Sequence, residues 1–135
     1  MAADLTVTAA NVRPLEGADV QRYDAGGTLT VGNSVYVASD GDVEATDSDA
    51  LSTAWSIGIV VSGPKGATSI SAGDPVDVVV SGPVAGFSSL TPGALGYVSA
   101  SAGAINDTAG TKSCIVGYAC SKTEFFVRPQ LVALS

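Results

Sequence analysis

Apolar and polar residues alternate in short runs along the chain, and a helical period is almost absent. The runs are Leu5-Thr6-Val7-Thr8, Val35-Tyr36-Val37, Ile57-Gly58-Ile59-Val60-Val61, Val76-Asp77-Val78-Val79-Val80 and Phe125-Phe126-Val127. Each is bounded by Gly, Pro, Asp or Ser, so the pattern predicts strands joined by short turns. Only residues 48–54 read as a turn of helix, with Ser48 as its N-cap. The expected fold is all-β, a compact single-domain sandwich or barrel of about eight to twelve short strands.

A degenerate repeat sharpens this expectation. Leu29-Thr30-Val31-Gly32-Asn33-Ser34-Val35-Tyr36-Val37 is echoed by Ile70-Ser71-Ala72-Gly73-Asp74-Pro75-Val76-Asp77-Val78 and by Leu90-Thr91-Pro92-Gly93-Ala94-Leu95-Gly96-Tyr97-Val98. In each copy a glycine turn launches an alternating strand, and Gly41, Gly82 or Gly103 follows near its end. The first and third copies also share a later strand, Ser56-Ile57-Gly58 to Ser62 against Ile115-Val116-Gly117 to Ser121. The pattern reads as a Gly-turn hairpin used three times, with valines at alternate positions facing the core.

Composition removes whole classes of chemistry. The 135 residues include 16 glycines and no histidine, which excludes Ser-His-Asp and Cys-His nucleophiles, His-containing zinc sites and any imidazole acid or base. With aromatics at 6%, the core must be built mainly from valine and alanine. The net charge is −7, and the six bases (Arg13, Arg22, Lys65, Lys112, Lys122, Arg128) are scattered, so no nucleic-acid partner is expected. No apolar stretch approaches the ~20 residues that span a bilayer, and the N-terminus lacks the basic and apolar regions of a secretory signal. A cytosolic protein without a membrane partner is therefore expected. Cys114 and Cys120 would lie about 20 Å apart along a strand, too far for a disulfide, and read as two free, core-type thiols.

The acidic run Asp40-Gly41-Asp42-Val43-Glu44-Ala45-Thr46-Asp47-Ser48-Asp49 invites comparison with a calcium loop, with Asp40, Asp42 and Glu44 as oxygen ligands. An EF-hand needs Gly at its sixth position and Glu at its twelfth; here stand Ala45 and Leu51, so a solvated loop is expected and no metal or cofactor. Paired carboxylates for glycoside hydrolysis would lack both a stacking cleft and the burial that raises a general acid's pKa. Ala25-Gly26-Gly27 precedes a strand instead of a helix and implies no phosphate cradle. The chain is not expected to be an enzyme.

Three features point outward. Residues 1–24 read as an extended N-terminal arm or as first strands ahead of a β-rich domain at 25–135. As an arm, the segment would carry Ala3, Asp4, Leu5, Thr6, Val7, Thr8 and Val12 to the sheet edge of another chain. Trp55, just before an apolar strand, reads as a partly buried edge or interface anchor. Phe125 and Phe126 read as core closure or as subunit-interface anchors, with Pro129 confining the segment to an edge or strand end.

The opening string Ala3-Asp4-Leu5-Thr6-Val7-Thr8-Ala9-Ala10-Asn11-Val12 resembles the start of a family of short structural proteins of tailed bacteriophages. The likeness continues through residues 25–32, Val35-Tyr36-Val37, Gly41, Ala45 and Asp47, and Ile57-Gly58-Ile59. Later it includes Gly82, Gly93, Tyr97-Val98-Ser99, Ala102-Gly103-Ala104-Ile105 and Val116-Gly117-Tyr118-Ala119. Residues 17–26, with Asp19, Arg22, Tyr23 and Asp24, depart from the family's plainer pattern. The resemblance implies a capsid decoration, or cement, protein. It would be a homotrimer on the outside of the virion head, assembled in the host cytoplasm and bound to the major capsid protein. The competing expectations are a tail or fibre-tip module that binds a host surface glycan or protein, and a bacterial adhesin-like module.

Overall fold

The structure is a computed structural model that describes residues 4–110, 112 and 114–130. Its strands are β1 (Thr6–Val7), β2 (Arg13–Pro14), β3 (Asp19–Asp24), β4 (Leu29–Thr30), β5 (Ser34–Val37), β6 (Val43–Ala45) and β7 (Gly58–Ser62). Then come β8 (Ser69–Ile70), β9 (Pro75–Ala85), β10 (Phe87–Ser88), β11 (Leu95–Val98), β12 (Ile105–Asn106), β13 (Ile115–Ala119) and β14 (Glu124–Val127). The single α-helix among the described residues is one turn, α1 (Leu51–Ala54); 3-10 turns lie at Ala9–Asn11 and Pro64–Gly66. No helix of the described residues is long and apolar enough to cross a membrane. The fold is all-β, with more and shorter strands than the alternation suggested.

The main sheet has the order β12-β11-β13-β14-β9-β7-β5-β6, and β2 and β3 also pair with β9. Its named strands are paired antiparallel throughout. β9 is the central element: its first half pairs with β7 and β3, its second half with β14 and β2. The sheet curls into a half-barrel. On one side Ala25 and Gly26, running on from β3, reach β6, where Gly26 N–H donates to the Val43 carbonyl at 2.8 Å.

The glycine turns are present, but they act as corners. Gly32, Gly73 and Gly93 have φ of +101°, +91° and +87°. Each sits third in a turn closed by an i to i+3 hydrogen bond: Asn33 N to Thr30 O, Asp74 N to Ser71 O, Ala94 N to Thr91 O. Positive φ at that position is the requirement of a type II turn, which glycine meets without strain. The residues before and after the turn do not pair with each other. β4 instead pairs with β8, Leu29 opposite Ile70, while β5 and β9 join the main sheet. The hairpins come at the second glycine, and only in the first and third copies, β5–β6 around Gly41 and β11–β12 around Gly103. In the middle copy β9 runs straight through Gly82, where the Ala18 backbone packs too close for a side chain.

The first and third copies build two units of the same register. Ser34 opposes Ile59 and Val35 opposes Gly58; at the equivalent positions Leu95 opposes Tyr118 and Gly96 opposes Gly117. Tyr36 and Val37 face Glu44 and Val43 as Tyr97 and Val98 face Asn106 and Ile105. The correspondence extends to the chain beside each hairpin, since Leu5 N–H donates to Ile105 O at 2.7 Å as Gly26 does to Val43. A side chain at Gly58 would run into the Val79 carbonyl of β9, and one at Gly117 into the Phe126 carbonyl of β14.

The core is largely valine, from both units and β9, closed by Leu29, Ile59, Ile70, Phe87 and Phe125. Phe125 is fully buried, 5.4 Å from Phe87, and its ring fills the space that side chains at Gly96 and Gly117 would need. Ser48 does not cap the helix: α1 follows Ala50, and Ser48 is buried upstream, its N–H given to Ser99 O. The turn into α1 is made by Asp47, whose Oδ1 accepts from Asp49 N–H at 2.9 Å.

Candidate functional site

The acidic residues stabilise turns and pair with neighbours. Asp40 Oδ1 accepts from Asp42 N–H at 3.0 Å, and Asp74 Oδ2 from Ser71 N–H at 3.0 Å. Asp77 holds Arg22 Nε at 3.2 Å and accepts from Ser62 Oγ at 2.9 Å. Among the described residues no group of three or more Asp, Glu, Cys or His is placed to hold a metal ion. Both cysteines are free, but only Cys114 is a core thiol; Cys120 is exposed, its Sγ donating to Glu124 O at 3.4 Å. Desolvation pushes both thiols up, and Glu124 adds to the rise at Cys120 against its own backbone hydrogen bond, so neither is an activated nucleophile. Tyr36 is likewise raised, by burial first and then by Glu44 and Asp40.

The N-terminal segment is extended but lies on its own domain. Asp4 Oδ1 accepts from Ser99 Oγ at 2.7 Å and Asn106 Nδ2 at 2.9 Å, β1 pairs with β10, and Thr8 N–H donates to Gly86 O. Leu5 packs against the core and Val12 is buried in it, so these two expected contact residues face inward. Thr6, Val7 and Thr8 keep exposed side chains, and Ala3 lies outside the described residues. Of the two roles expected for Phe125, the structure gives it core closure: it is fully buried and is no interface anchor. Consecutive residues of a strand point to opposite faces, so burying Phe125 turns Phe126 outward.

Two apolar surfaces among the described residues carry aromatic side chains. On the first unit Trp55 is 44% exposed and Leu51, four residues earlier on α1, is 42% exposed. The helix beneath them is fixed by the buried Ala54 and by Thr53, whose carbonyl accepts from Asp47 N–H and whose Oγ1 donates to Asp47 O. On the second unit a row crosses four strands in register: Leu95, Tyr118, Phe126 and Pro83. Tyr118 and Phe126 stack with centroids 5.3 Å apart. Beside them a shallow groove of about 230 Å³ is lined by Ile115, Arg128 and Gln130 as well. The sequence reading missed Leu95 and Tyr118. The available signal was the adjacent glycines: Gly96 and Gly117 lie under Phe125, so their neighbours in the strand must face away from it.

The two parts of the chain before and after β9's end differ in charge. Residues 1–85 hold eleven acidic and three basic side chains, a net of −8; residues 86–135 hold two and three, a net of +1. Compared with known proteins, the chain matches no family model and no curated protein.

Proposed function

We propose that the protein is a non-enzymatic structural protein of a tailed-bacteriophage virion that binds the outside of the head and clamps neighbouring capsid subunits. The likeness of residues 3–12 and the later strings to short phage structural proteins carries this reading. The fold supports it by supplying a rigid β scaffold with an exposed aromatic anchor. Trp55 with Leu51 is the contact assigned to the major capsid protein, because a large aromatic held on a fixed backbone loses little entropy on docking and dominates interface energies. Thr6, Val7 and Thr8 add a second contact along β1. Self-association as a homotrimer would multiply these contacts, and linked sites bind far more tightly than single ones. Catalysis, a cofactor and nucleic-acid binding form no part of the reading.

The test is sedimentation of purified protein with expanded, undecorated heads. Saturable binding at fixed stoichiometry is expected, and Trp55→Ala should weaken it by about 30-fold at unchanged stability, since an aromatic hot spot is worth about 2 kcal/mol. Failure to bind heads, with labelling of tail tips or host cells, would overturn the reading in favour of a tail-tip module.

A further inference from the structure

The two units share one register, yet only the first is completed within the chain. Loop 99–104, the β11–β12 tip, is seated against the first unit by backbone bonds: Ser34 N to Gly103 O at 2.8 Å, Gly103 N to Thr46 O at 2.8 Å and Ser48 N to Ser99 O at 3.0 Å. Ser34 and Ile59 are fully buried there. The equivalent place on the second unit lies between Leu95 and the chain leaving β12. There Leu95 is 43% exposed, beside a cleft lined by Leu5, Leu90, Ala94, Leu95, Asp107 and Phe125. The loop equivalent to 99–104 is the β5–β6 tip at 38–42, and its residues Ser39, Asp40 and Gly41 are exposed beside Val37, itself exposed.

We propose that the β5–β6 tip of one copy seats at Leu95 of a second copy, between β11 and the chain leaving β12, where loop 99–104 seats on the first unit, and reaches from there onto the groove that Leu95 shares with Tyr118 and Arg128. The matching register sets the position, and chemistry favours the same occupant. The tip offers an apolar Val37 with Asp40; the face offers Leu95, Tyr118 and Phe126 with Arg128 at the groove. The attraction is local, Asp40 against Arg128 at short range, since both copies carry the same net −7. Because tip and face are different surfaces, the contact is heterologous and closes into a ring or runs on as a chain. It gives the self-association named above a surface, and its test uses no heads, so the two readings fail separately.

Sedimentation velocity of the full chain over a concentration series, at low and high salt, tests the contact. The expected result is concentration-dependent association whose salt dependence differs between the wild type and the Asp40 and Arg128 charge variants. Arg128→Glu or Asp40→Lys should weaken it by about tenfold, the pair together should restore most of the loss, and Leu95→Asp should abolish it. Asp40→Asn keeps an acceptor for Asp42 N–H and should still weaken association, which separates charge from turn geometry. Denaturation midpoints of all variants report folding. A wild-type monomer at every concentration, association untouched by Leu95→Asp, or a double charge variant no better than either single one would each overturn the proposal.

Discussion

The two β-units of this chain use one pairing scheme for different ends. In the first, the pair Ser34–Ile59 is buried, and Ser34 Oγ donates to Ser56 Oγ at 2.8 Å while accepting from Thr46 Oγ1 at 2.9 Å. In the second, the equivalent pair Leu95–Tyr118 faces outward and continues into Phe126. Backbone register is therefore held by features common to both, the corner glycines and the strand glycines Gly58 and Gly117. The side chains at matching positions are free to diverge. The lesson is that a hydroxyl network suits the unit whose face is closed within the chain, and an apolar row suits the unit whose face is open.

The largest expected effect divides inside from outside within the second unit. Phe125→Ala should cost about 3–5 kcal/mol, because it empties the space over Gly96 and Gly117, whereas Phe126→Ala should cost about 1 kcal/mol or less. Urea denaturation of the two variants reads the difference; equal losses would break the assignment of faces.

Next comes the equivalence itself. Gly58→Ala and Gly117→Ala each drive a Cβ into a carbonyl of the adjacent strand and should each cost about 2–3 kcal/mol. Gly58→Ala should be the worse, since Gly58 also has φ of +155°. A tolerated substitution at either position would show that the two units do not share their strand spacing.

The smallest effect belongs to the acidic hairpin. Tyr36 is raised, so the folded state disfavours its ionised form. The stability it contributes is present below the ordinary tyrosine range of about pH 10 and is lost as pH rises through the folded value. Tyr36→Phe should therefore flatten the alkaline loss of stability above about pH 10 and leave the neutral-pH difference constant.

Much of this architecture was legible because glycine at positive φ leaves a mark that few other residues can replace. The corners at Gly32, Gly73 and Gly93 and the shared later strand were readable for that reason, and they led to the two units. The hairpin assignment failed because a glycine turn followed by alternation looks the same whether the chain folds back or turns a corner onto another sheet. Strand parity was a further obstacle. Phe125-Phe126 gives no local hint of which ring goes inside; that depends on Val84 and Pro83, some forty residues earlier, and on the bare glycines opposite. Ser48 misled for a similar reason, since its backbone is used by Ser99, far along the chain.

The position of β9 in the middle of the chain also sets an order of events during synthesis. A chain leaving the ribosome exposes β5, β6, β7 and all of β9 before any residue of β11–β14 has emerged. Domains and their parts form from the N-terminal side as they emerge. The first unit can therefore pair with residues 75–79 and leave 82–85 as an open edge, onto which β14 later adds with β13 and β11 behind it. The N-terminal segment must wait longest of all, because its partners Phe87, Ser99 and Asn106 are synthesised some eighty to one hundred residues after it.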